Sequence, residues 1–64
     1  MNWMKVPGIS VYKAMNYEIK KMYYSWECYY HQDGHIGTRK QDYIGDARTL
    51  KAAKELCEKH AENK

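Results

Sequence analysis

Sixty-four residues with 11 Lys plus Arg against 8 Asp plus Glu make one small domain of net charge +3, near the size at which an apolar core alone stops sustaining a fold. So short a chain has little room for the enclosed cleft that most catalysis needs, which speaks against an enzyme. The positive excess permits nucleic acid or an acidic protein as partner, and it is concentrated: residues 1–26 hold Lys5, Lys13, Lys20 and Lys21 against Glu18 alone.

The aromatic content is two Trp and seven Tyr with no Phe. A tyrosine hydroxyl needs a partner or water, so some of the seven must reach the surface. Residues 1–15 lack the continuous apolar run of a leader peptide, and no stretch is long enough to span a bilayer, which points to the cytoplasm. In that compartment Cys28 and Cys57 are expected as buried free thiols.

In chain order, residues 1–8 form a flexible or docked arm ended by Pro7-Gly8, with Trp3 set to cover an edge of the core. Ile9 to Ala14 alternates as a short strand, and Asn16 suits a turn. Tyr17 to Tyr24 alternates again, rich in residues that favour strands, and Ser25 allows a bend. Trp26 to His31 gives the clearest strand. Period-two geometry places Trp26, Cys28 and Tyr30 on one face, toward a helix, and Glu27, Tyr29 and His31 on the other.

Asp33-Gly34 supplies the backbone freedom of a tight hairpin. The polar run 37–42 then reads as a bulge or loop before Tyr43-Ile44 resumes pairing, and residues 45–48 turn the chain into its last element. Thr49 caps a helix whose apolar stripe is Leu50, Ala53, Leu56, Cys57, His60 and Ala61. The expected fold is therefore α+β: an antiparallel sheet of three strands, or four if Ile9–Ala14 pairs, within residues 9–47, packed on one carboxyl-terminal helix over 49–62.

Three constellations bear on function. Cys28-x-x-His31 and Cys57-x-x-His60 make up a Cys2His2 zinc set by residue type, but residues three apart on a strand point to opposite faces, which works against Cys28 and His31 sharing an ion. The carboxylates are scattered and no glycine-rich phosphate loop exists, so neither acid–base chemistry nor nucleotide binding has a frame, and no cofactor is expected. The third is the outer sheet face, where Lys20 or Lys21, Tyr29, His31, Arg39 and Lys40 would combine phosphate attraction with aromatic contact.

The run Trp26-Glu-Cys-Tyr-Tyr-His-Gln-Asp-Gly34, Tyr43-Ile-Gly45, Asp46-Ala-Arg-Thr49-Leu and the Ala52-Ala53-Lys-Glu-Leu helix resembles two groups. One is the ethylene-response-factor type of DNA-binding domain; the other is the arm-binding domain at the amino terminus of phage and transposon tyrosine recombinases. The resemblance implies a three-stranded sheet on one helix, with the outer face in a DNA major groove and Tyr29, His31, Arg39 and Lys40 on contact-bearing strands. Acidic Glu27 among these cations departs from that pattern. The chain is also similar to small phage and prophage accessory proteins that inhibit a host protein, a role the exposed tyrosines would serve. The expectation is a non-enzymatic module binding DNA or a host protein, with an open sheet edge available for a two-fold homodimer.

Overall fold

The computed structural model describes residues 1–32 and 41–63. Five strands, β1 (Met4–Lys5), β2 (Val11–Ala14), β3 (Tyr17–Lys21), β4 (Trp26–His31) and β5 (Gln41–Ala47), precede one helix, α1 (Leu50–Glu62). All strand pairs are antiparallel and the sheet order is β1-β2-β3-β4-β5. The class is α+β as expected, but five strands exceed the three or four read from sequence. The additional one is the amino-terminal arm, which is docked: Met4 and Lys5 pair with Lys13 and Tyr12. The Asp33-Gly34 turn lies outside the described residues.

Short connections keep consecutive strands adjacent. Met15-Asn16 joins β2 to β3, with Ala14 opposite Tyr17 and Met15 at a φ of 54°. Residues 22–25 join β3 to β4, closed by the Met22 amide donating to the Ser25 carbonyl at 2.7 Å.

The helix covers one face of β4 and β5 and the near part of β3. Thr49 caps it, its Oγ1 accepting from the Ala52 amide at 3.1 Å, while Lys59 and His60 sit favourably in the last turn. The expected apolar stripe is the packed one: Ala53 and Cys57 join Tyr17, Ile19 and Cys28 in the buried core, with Leu50, Leu56 and Ala61 around it. Trp3, Tyr12 and Trp26 pack against this core, and the Trp3 indole reaches the Glu58 carboxylate at 3.4 Å. So few aliphatic side chains suffice because aromatic rings supply the missing area.

β5 departs most from its sequence reading. It runs from Gln41 through Ala47, so Gly45, Asp46 and Ala47 are strand rather than turn. Pairing with β4 decides this, Trp26 opposite Ala47 and Glu27 opposite Asp46. A bulge does exist, but at Ile44: Cys28 pairs with Gly45 and Tyr29 already with Tyr43. One extra residue therefore sends Ile44 into the core and leaves Tyr43 on the far face. Gly45 meets the helix closely, since a Cβ there would lie 3.2 Å from Leu56 Cδ2, at a φ of 155° that side chains rarely adopt.

Candidate nucleic-acid interface

The alternation of Trp26, Cys28 and Tyr30 toward the helix holds, and the register then fixes what the far face carries. Lys13 lies opposite Glu18, Glu18 opposite Tyr29, Lys20 opposite Glu27, and Glu27 opposite Asp46. Two lysines thus share this face with three carboxylates among the described residues. The described part of this face therefore holds more acid than base.

The groups there are already engaged with one another. Tyr29 donates its hydroxyl to Glu27 Oε1 at 2.7 Å, the Lys20 ammonium sits 5.1 Å from the centre of the Tyr29 ring, and the Tyr43 ring lies 5.6 Å from it. The hydrogen bond to Glu27 pushes the Tyr29 hydroxyl up to about 12, because ionising it would forfeit that bond, with burial and the neighbouring carboxylate charge adding to the effect. His31 is on this face but buried rather than exposed, with Nε2 held 2.7 Å from Glu18 Oε1 and Nδ1 without a partner among the described residues.

Of the six expected contact residues, then, Lys20 and Tyr29 share the far face and His31 is buried in it. Lys21 lies on the opposite face, its ammonium 5.0 Å from the Trp26 ring centre. Arg39 and Lys40 lie outside the described residues.

A different grouping emerges at the end of the sheet where β3 stops. Three connections meet there: residues 6–10, the turn 22–25, and residues 47–51 leading into the helix. They are tied by the Lys21 amide donating to the Ser10 carbonyl at 3.0 Å and by the Lys21, Trp26 and Ala47 row of pairs. The end of β3 and these connections place Lys20, Lys21, Arg48 and Lys51 toward one end of the sheet, and no carboxylate occurs in residues 6–10, 22–25 or 47–51. Lys20 lies directly opposite Glu27, which pairs with Asp46 on the far face, and Glu55 follows Lys51 one helical turn on. The first helical turn carries no acid either.

At the tip of this end Tyr23 and Tyr24 are 93% and 87% exposed, their ring centres 5.7 Å apart, with Met22 and Ile9 also exposed. Sequence reasoning carried the strand through these tyrosines and so missed them. Ser25, followed by the strong strand from Trp26, was the available sign of a turn.

The zinc set does not gather. Cys28 and Cys57 are free, buried and adjacent in the core; Cys28 donates its thiol toward the Ala53 carbonyl at 3.5 Å. Each thiol acts first on the other: Cys28 is held below the ordinary thiol range and Cys57 above it. His60 instead places Nδ1 2.7 Å from the Tyr17 hydroxyl, while His31 is across the sheet with Glu18. Among the described residues no three His, Cys, Asp or Glu side chains converge as metal ligands.

A cleft of about 210 Å³ opens at the other end of the sheet, lined by Met15, Asn16, Tyr17, Tyr30 and Ala61. Among the described residues no helix is long and apolar enough to cross a membrane. No family model matches the chain, and neither a curated protein nor a solved structure is significantly similar to it.

Proposed function

We propose that this domain is a non-enzymatic binding module for nucleic acid that works through the end of its sheet rather than the broad outer face. The observation that carries the reading is the placement of Lys21, Arg48 and Lys51 at one end, where the connecting segments hold no carboxylate, with Lys20 one row in, opposite Glu27. Phosphate attraction requires such a local excess, and a moderate overall charge is no obstacle when it is concentrated.

The resemblance to sheet-based DNA readers supports nucleic acid as a partner class. It supports the outer face less, because Glu18, Glu27 and Asp46 occupy it. Affinity for an oligonucleotide should fall steeply as salt rises from ~50 mM to ~200 mM, with a log–log slope that flattens when Lys20 and Lys21 are both replaced by Gln. Absence of binding at the lower salt would overturn the reading.

A second reading rests on Ile9, Met22, Tyr23 and Tyr24, all exposed at the same end. Tyrosines are favoured anchors in protein interfaces, so a host protein is the alternative partner.

A further inference from the structure

Resting on the nucleic-acid reading, we infer that the ligand is single-stranded, its bases stacking on Tyr23 and Tyr24 while its phosphates follow Lys20, Lys21, Arg48 and Lys51. The two tyrosines are the most exposed large hydrophobic side chains among the described residues and bury almost nothing in the fold. Their faces are open to solvent on a short turn whose ends are fastened by the Met22 to Ser25 hydrogen bond at 2.7 Å. That bond fixes the backbone of the turn, so binding has only the two side chains left to order.

The distinction between one strand and two follows from geometry. In a duplex the base faces are already stacked on each other, so exposed rings at a convex tip gain nothing from them. Unpaired bases offer a π face whatever their identity. Cation placement points the same way. Lys20 and Lys21 are consecutive strand residues, so they leave the sheet on opposite faces, and the structure holds each ammonium over a ring, Tyr29 on the far side and Trp26 on the helix side. A lysine thus flanks the tyrosine tip on each side, Lys20 opposite Glu27 and Lys21 opposite Trp26. A thin flexible strand can bend around such a tip and meet both, whereas a stiff duplex lying against one side meets one. Arg48 and Lys51 continue the cationic track past Ala47, which pairs with Trp26.

The test is fluorescence anisotropy with a labelled oligothymidylate and an oligouridylate of about ten nucleotides, a length within the site size of small single-strand binders. A duplex of the same length is the comparison. The single strands should bind more tightly than the duplex, and the Tyr23→Ala/Tyr24→Ala double variant should lose about tenfold or more of that affinity, as expected when base stacking is removed. Tyr23→Phe/Tyr24→Phe, which keeps both rings, should retain it. Comparison of the two oligonucleotides assigns the ligand to DNA or RNA.

Because both positions are exposed, a thermal melt of each variant should match the parent and so separates binding from folding. Equal or tighter binding of the duplex, or unchanged affinity in the double alanine variant, overturns this inference and leaves the nucleic-acid reading standing. Binding to none of the three at ~50 mM salt overturns both, and assigns the bare tyrosines to a protein partner.

Discussion

His31 Nε2 lies 2.7 Å from Glu18 Oε1 across β3 and β4, and both side chains are buried on the face of the sheet turned away from the helix. A polar pair so placed is worth little beside an apolar replacement, yet costly to halve. Glu18→Ala should therefore destabilise the domain by about 3 kcal/mol, a large share of what a core this size supplies, whereas Glu18→Gln keeps an acceptor and should lose less. Urea melts of the two variants would show it, and an unmoved midpoint for Glu18→Ala would mean that the pair contributes nothing.

The Tyr29 hydroxyl, pushed up to about 12 by Glu27, makes a prediction for alkaline pH. A phenol whose folded value is raised contributes stability that is complete below the ordinary tyrosine value and is lost as pH climbs toward the folded one. Stability should thus decline between pH 10.0 and about 12. In an ultraviolet titration Tyr29 should ionise late, Tyr43 being raised as well, and Glu27→Gln should bring Tyr29 to lower pH. A titration curve indifferent to that change would refute the assignment.

Much of this was readable before the coordinates. The alternation of Trp26, Cys28 and Tyr30 and the stripe from Leu50 to Ala61 are both periodic enough to declare their faces, and Thr49 announces the helix start. Met4 and Lys5 were not readable as strand because two residues carry no period; only their pairing with Tyr12 and Lys13 makes them one. Residues 45–47 have the composition of a turn, and tertiary pairing with Trp26 and Glu27 overrides it. The burial of His31 depends on Glu18, thirteen residues away, which no local pattern reveals. The cationic end escaped for the same reason, since Lys21 and Arg48 reach one end only because Trp26 pairs with Lys21 on one side and Ala47 on the other.

Met15 holds a φ of 54° on a two-residue turn and is largely exposed. For a residue with a Cβ this conformation costs on the order of 1 kcal/mol, a cost asparagine tolerates better. Met15→Asn should raise the melting temperature by a few degrees, and Met15→Val, branched at Cβ, should lower it by at least as much. Differential scanning calorimetry decides; a stabilising valine would show that the turn is not strained.

Thr49 separates folding from binding. Thr49→Ala removes the acceptor for the Ala52 amide and should cost about 1 kcal/mol without altering charge. Thr49→Asp preserves the cap but sets a carboxylate between Arg48 and Lys51. Its melting temperature should stay near the parent's while its affinity for oligonucleotide falls. Equal affinities for the parent and the aspartate variant would remove this region from the binding site.

The irregularity at Ile44 bears on how the chain tolerates a change of length. With one residue more than β4 requires at that point, β5 could lose Ile44 and close into even pairing, giving up only a half-buried aliphatic group. Removal of a residue from the middle of β3 or β4 would instead turn the rest of that strand inside out, exchanging wet side chains for dry ones along its length. The sheet thus keeps its slack in its last strand, and shortened variants that still fold should be missing a residue there.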